Sequence, residues 1–320
     1  MKSPSLVLPI LCFFMGSACR AALPFLWMPS NTPDTYKTRF NEAWKEAMVL
    51  ARAAALTFEG PCDPVYQRYF EDEGASLVKH IFQTIANIPP DAQYDKNNIQ
   101  DLLENEDIMG LSPKFSKMTL ALRVPPNTPE TWKDYCTRAK GSGAMIFDQM
   151  KESATVILCD GVLVYPLESE IYNPPAWARD EDGTPLEGYG CDGLGGREWT
   201  QFIQPSPKSG NRLILDFWAV GTNPTSGYGA YNTQLLKQRV LEKPSDFGAF
   251  PTLNNADTYL WYALSKYWSW ACGKSFAAAR SPEDDDLRHN DGGVLQPPPE
   301  GEASDQPLAG SGDVVDELAV

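Results

Sequence analysis

The stretch 33–57, PDTYKTRFNEAWKEAMVLARAAALT, constrains the fold more than any other part of the chain. It is rich in good helix formers and opens on a proline, which suits a helix start. Its apolar residues Phe40, Trp44, Ala47, Met48, Ala51 and Ala55 recur at steps of three and four. That spacing predicts one long helix with a single apolar face, and such a face must be covered by other elements. The turn GPCDP at 60–64 ends it. Beyond the turn, VYQRYFEDEGASLVKHIFQTIANI predicts a short helix, a break at Glu73-Gly74, and a second helix to Asn87. Leu77, Ile81 and Ile85, with Val78 and Phe82, form the predicted core stripe of that second helix.

The two ends of the chain are set apart by composition. Lys2, the apolar run 6–16 (LVLPILCFFMG) and the small residues Ala21-Ala22 have the order of a secretory signal peptide. The run is too short to span a bilayer. The expectation is a leader over 1–21 and a secreted, extracellular mature chain. Five of the seven cysteines follow the leader: Cys62, Cys136, Cys159, Cys191 and Cys272. In an oxidising compartment they predict two disulfides and one leftover thiol. At the other end, 281–320 holds eleven acids and one arginine, so about −10 of the net charge of −15 sits there. This segment lacks aromatic residues and cannot bury enough apolar surface to offset its chain entropy, so it is expected to be disordered. A tail so acidic argues against nucleic acid as a partner, and no apolar segment calls for a membrane. The range 22–280 is left as one domain.

Its middle changes character. MTLALRV (118–124) and ATVILCDGVLVYP (154–166) are short, apolar and β-branched, as strands are, with Asp160-Gly161 as a turn signal. Cys136 and Cys159 flank a stretch of small and polar residues, and a disulfide between them would close a hairpin-like excursion. Residues 167–199 are rich in Gly, Pro and acids and predict long surface loops; their acids Glu168, Glu170, Asp180 and Asp182 supply candidates for a paired-carboxylate site, although acids on a surface loop are usually just solvated. RLILDFWAV (212–220) fits a buried strand or a buried helix equally well. Residues 255–269 carry Leu260, Trp261, Leu264, Tyr267 and Trp268 at helical spacing. Helical ends around short central strands predict an α+β domain, richer in helix than in strand.

Two pieces of the C-terminal half carry a resemblance. Tyr228-Gly229 in SGYGAYNTQLLK, followed by Asn255-Ala256-Asp257-Thr258-Tyr259, resembles the fungal deuterolysin-like, or aspzincin, zinc endopeptidases, which include lysine-specific metallo-endopeptidases. Their hallmarks are HExxH on a helix, then GTxDxxYG, then a helix opening on ADxY. CDPVYQRYF at 62–70 and ATVILCDG at 154–161 are similar to earlier family segments. The resemblance spans roughly 35–272. It implies a zincin-like metallopeptidase scaffold with a small central sheet.

HExxH works because two histidines at i and i+4 bind zinc from one helical face. The glutamate between them activates the metal-bound water. Laid on this chain, the motif puts Leu215 and Ala219 at the histidine positions and Asp216 at the general-base position. Thr225 falls at the third ligand. The resemblance gives Tyr228 a role at the substrate or the developing oxyanion. It gives Asp257 a role in substrate binding, although an Asp at a helix start also suits the helix dipole. The acid expected three residues after it is Leu260. The chain has two histidines, His80 and His289; neither has the spacing of a ligand pair. No zinc or other cofactor is therefore expected, and the sequence predicts a non-catalytic scaffold that retains peptide or protein binding. Two alternatives stand beside it. The chain is an active, lysine-directed zinc endopeptidase if the true sequence of 205–225 differs from the one written. Or it is an unrelated secreted binding or effector module.

Overall fold

The computed structural model describes residues 25–88, 103, 118–138, 144–147, 154–160, 167–186, 189–193, 229–243, 251–276 and 278–279. The predicted leader and acidic tail fall outside these, as does 212–220.

The predicted first helix is α1, Asp34–Leu56, with Pro33 at its N-cap. Phe40, Ala47, Met48, Ala51 and Ala55 of the predicted stripe are buried, and Trp44 packs against the same core. After the turn at 60–64 come α2, Tyr66–Tyr69, a 3-10 turn at Asp72–Gly74, and α3, Ala75–Ile85. Gly74 sits where Leu253 closes on the backbone. A Cβ there would lie 2.8 Å from a Leu253 methyl carbon, so the break falls on the one residue that admits this approach. On α3, Val78, Ile81, Phe82 and Ile85 are buried, but Leu77 is 47 % exposed. At 3.6 residues per turn these four apolar positions share one arc of about 100°, and Gln83 is the one other buried residue of the helix. Leu77 lies outside it, so its assignment to the core stripe is corrected.

The sheet is small. β1, Phe25–Trp27, β2, Thr119–Leu122, β3, Ala144–Phe147, and β4, Thr155–Leu158, lie in the order β1-β2-β4-β3. β1, β2 and β4 run parallel, with Phe25 opposite Thr119 and Thr119 opposite Thr155. β3 adds antiparallel to β4, with Ala144 opposite Leu158. The strand partner of 155–158 thus lies upstream, inside the excursion that the Cys136–Cys159 disulfide closes. Buried Leu120, Leu122, Val156 and Leu158 join the main core. Both faces of a parallel sheet are covered by connecting elements, which is why these strands read as continuous apolar runs.

Short helices follow: α4, Tyr135–Arg138, α5, Glu168–Tyr172, and α6, Gly190–Gly193. Residues 167–186 are not purely surface loop, since Leu167, Ile171 and Ala178 are buried. Two longer helices complete the described chain: α7, Gly229–Glu242, and α8, Ala256–Ala271. Every residue of 256–266 is buried. α8 is therefore buried on every side over this stretch and forms the centre of the domain, with α1, α2 and α7 packed on it. The arrangement is α+β and helix-rich. Among the described residues, no helix is long and apolar enough to cross a membrane.

The disulfides are Cys136–Cys159 and Cys191–Cys272, and Cys62 is a free, exposed thiol. The second joins residues 81 apart in sequence. In the chain-entropy account a loop of that size contributes on the order of 4–5 kcal/mol by restricting the unfolded chain.

Candidate functional site

The two segments that carried the resemblance open the paired helices of the C-terminal half. Gly229, after Tyr228, is the first residue of α7. Asn255 is the N-cap residue of α8 in extended conformation. Its amide nitrogen donates to the Thr258 hydroxyl at 3.0 Å, and its carbonyl accepts from the Thr258 N–H at 3.1 Å. Asp257 lies in the first turn, where a carboxylate complements the helix dipole. It is 4 % exposed, so its carboxylate faces protein rather than bulk solvent. Leu215, Asp216, Ala219, Thr225 and Tyr228 lie outside the described residues.

Side-chain contacts set the direction of the pair. Gln234, in the second turn of α7, donates through Nε2 to the Tyr69 hydroxyl at 3.0 Å. That hydroxyl also shares a 2.9 Å hydrogen bond with Ser265, in the third turn of α8. One turn further along α7, the Lys237 ammonium donates to the carbonyl of Gln67 and feels the charges of Asp72 and Glu71. Glu71 in turn accepts from the hydroxyl of Thr252, four residues ahead of α8. α7 therefore advances toward the start of α8, and the two run antiparallel.

What α8 does gather is a buried polar and aromatic cluster. The Lys266 ammonium lies 2.6 Å from Asp63 Oδ2, with the two side chains 9 % and 3 % exposed. Asp63 Oδ1 accepts from the Val65 N–H at 2.8 Å. The pair is thus satisfied on both sides and ties the 60–65 turn to α8. Tyr66, Tyr69, Phe70 and Phe82 surround Tyr262 with ring centroids 5.6–6.3 Å away. The Tyr262 hydroxyl is buried without a hydrogen-bond partner. Burial holds the phenols of Tyr66, Tyr259 and Tyr262 well above their ordinary range, with nearby acids adding to the shift. The Tyr66 hydroxyl donates to the Glu71 carbonyl at 2.8 Å, and that of Tyr259 to the Leu253 carbonyl at 3.0 Å. These are neutral donors at physiological pH, spent on fixing backbone. The cluster positions the fold and supplies no activated nucleophile.

Two of the loop acids, Glu170 and Asp180, have structural partners as well. Glu170 takes both arms of the Arg39 guanidinium at 2.7 and 2.8 Å and also accepts the Leu167 N–H. Asp180 accepts the N–H groups of Asp182 and Thr184. At the carboxyl ends of β2 and β4, Arg123 and Asp160 form a close ion pair at 2.6 Å. Arg123 holds a left-handed φ of 68° there. That hydrogen bond with Asp160 raises the guanidinium further above its already high range.

Comparison with family models, with curated proteins and with solved structures finds no match to this chain.

Zinc was tested against the donors present. Among the described residues, no group of three His, Cys, Asp or Glu is placed to hold a metal ion, and His80 is exposed on α3. The side chains of Leu215 and Ala219 carry no donor atom, and zinc takes imidazole, thiolate or carboxylate. This residue set does not fit a zinc centre of the HExxH type, and no step is derived through one.

Sequence reasoning missed the Asp63–Lys266 pair, although a signal was present. Lys266 stands inside the apolar run ALSKYW, and a buried lysine needs an acid. Asp63 stands between Cys62 and Pro64 in a turn already singled out.

Proposed function

We propose that this chain is a secreted, non-catalytic protein on a deuterolysin-like metallopeptidase scaffold, and that it binds peptide without cleaving it. The observation that carries the reading is the occupancy of the motif. The pieces Tyr228-Gly229 and Asn255–Tyr259 persist in sequence, with Gly229 and Ala256 opening two packed helices, while Leu215, Ala219 and Thr225 stand where three ligands belong. The described α+β architecture and the two disulfides are compatible with such a scaffold in an oxidising compartment.

Within this reading Tyr228 is the peptide contact, through its ring and hydroxyl. Asp257 fixes the start of α8 rather than touching ligand, because it is buried in the first turn of that helix. Asp216, at the general-base position, has no metal-bound water to act on.

The test is a peptide panel of extended, lysine-containing sequences, read by binding and by mass spectrometry of the same samples with and without added zinc. Saturable binding with intact peptides is expected, weakened about tenfold by Tyr228→Ala, a loss near 1.4 kcal/mol. Zinc-dependent cleavage at lysine would replace the non-catalytic reading with an active peptidase. Absence of binding across the panel would remove the peptide partner.

A further inference from the structure

Two stretches of the chain repeat one another. LWMPSNTPDTYK at 26–37 and LRVPPNTPETWK at 122–133 align without a gap. Their shared core is a proline, then Asn-Thr-Pro, an acid, a threonine, an aromatic residue and a lysine. The first stretch leaves β1 and enters α1. The second leaves β2, the parallel neighbour of β1, and enters the 3-10 turn Glu130–Trp132.

The backbone repeats with the sequence. The Thr32 N–H donates to the Pro29 carbonyl at 3.0 Å, and the Thr128 N–H donates to the Pro125 carbonyl at 3.1 Å. Each bond closes a four-residue turn. Pro33 then has φ −55° and ψ 144°, and Pro129 has φ −51° and ψ 145°. The Tyr36 N–H donates to the Pro33 carbonyl at 3.1 Å, and the Trp132 N–H donates to the Pro129 carbonyl at 2.9 Å. Lys37 reaches Asp34 at 2.7 Å, and Lys133 reaches Glu130 at 2.5 Å. Burial matches as well. Ser30, Asn31, Pro126 and Asn127 are exposed, while Thr32 and Thr128 are each 4 % exposed. Among the described residues, neither threonine hydroxyl has a hydrogen-bond partner.

The sheet register preserves the equivalence. Leu26 lies opposite Leu120, so its counterpart in the repeat, Leu122, stands two residues further along β2. Side chains alternate between faces with a period of two. An offset of two therefore keeps equivalent residues on one face, where an offset of one would reverse them. The differences between the stretches follow from their surroundings. In the described sheet β1 lies at the edge, whereas β2 has β4 on its other side. Arg123, where the first stretch has Trp27, pairs with Asp160 at the end of β4. Four residues past the shared aromatic position stand the core residue Phe40 in one case and Cys136, joined to Cys159, in the other.

We infer that 26–37 and 122–133 are two copies of one strand–turn–helix-start unit, an internal repeat at the carboxyl edge of the parallel strands, and that their turns are interchangeable. The shape of the unit is held by local chemistry. Prolines fix φ at both ends of the turn, the threonine ahead of a proline is kept extended, and the acid and lysine pair across the first turn that follows. The second copy carries Pro126 where the first has Ser30. Proline has no N–H, so the turn uses no donor at that position, and the first copy accepts the same residue. This inference is independent of the peptide-binding reading.

The test is thermal unfolding, with disulfides intact, of the chain without residues 1–21. Ser30→Pro should keep the far-UV circular dichroism and melt about 1–4 °C higher, because proline restricts the unfolded chain. Pro126→Ser should melt lower by a similar amount. A lower melting temperature for Ser30→Pro, or its failure to fold, overturns the inference, as does a rise for Pro126→Ser. The matched pair Thr32→Val and Thr128→Val reads the buried position. Each removes a hydroxyl at nearly constant volume, and the two should shift the melting temperature in the same direction and agree to within about 2 °C. Opposite shifts, or a wider gap, overturn the equivalence.

Discussion

Replacing Lys266 with methionine isolates the strongest single interaction in the centre of the domain. The substitution keeps an unbranched apolar stem and removes only the ammonium. What remains is the Asp63 carboxylate, 3 % exposed, with the Val65 N–H as its remaining described hydrogen bond. Removing one partner of a buried pair costs about 3–5 kcal/mol, because the other charge is left uncompensated. Against a typical domain stability of about 5–15 kcal/mol, that is a large fraction. Asp63→Asn combined with Lys266→Met removes the stranded charge while keeping an oxygen for the Val65 N–H. The double variant should therefore recover most of the loss, and the cycle should return a coupling well above that of surface pairs. Guanidinium unfolding at neutral pH with disulfides intact measures this. The midpoint should fall with the slope unchanged, and added sodium chloride should not abolish the coupling, since buried pairs are weakly screened. A Lys266→Met loss under about 1 kcal/mol, the range of exposed pairs, would refute the reasoning.

Further expectations concern the tyrosines. Tyr262→Phe removes a buried hydroxyl with no partner and should be neutral or stabilising by about 1 kcal/mol. Tyr69→Phe breaks bonds to both Ser265 and Gln234 and should cost about 1–3 kcal/mol; thermal melts of the two variants should move in different directions. The phenols of Tyr66, Tyr259 and Tyr262 have folded-state pKa values raised above their ordinary 10.0, first by burial. The stability they contribute is fully present below about pH 10. It is lost as pH rises above that value, because the unfolded chain releases these protons first. Urea midpoints taken across neutral and alkaline pH should be flat as far as the tyrosines are concerned and then fall. Tyrosinate absorbance should show these three appearing only with unfolding, and their titration in the folded protein near pH 10 would contradict the burial.

The long helix was legible because its apolar face, Phe40 to Ala55, repeats over about four turns, enough to average out local exceptions. α3 was legible as an element but not in its edge: Leu77 is apolar like a core residue but lies about 40° outside the arc. β2 and β4 were visible as apolar, β-branched runs. β1 and β3 were not, since three or four apolar residues carry no period, and β1 pairs with a strand more than ninety residues away. Such pairing is fixed by tertiary packing rather than by local preference. At the candidate site the balance is reversed. Sequence marked Asp257 by its motif, and the structure buries it at a helix start. Lys266 was passed over as one residue of an aromatic helix, yet it anchors the 60–65 turn. A buried ion pair depends on two distant positions meeting, which one residue's neighbours in sequence do not reveal.

The central claim is that the scaffold has lost its metal, and zinc content tests it most directly. The chain as written, expressed without residues 1–21 and dialysed, should carry close to zero zinc per chain by elemental analysis, because Leu215, Ala219 and Thr225 offer no HExxH-type ligand set. A value near one zinc per chain would contradict the account. It would mean that ligands are supplied elsewhere in the chain and that the alignment of 215–225 with the zinc motif is wrong.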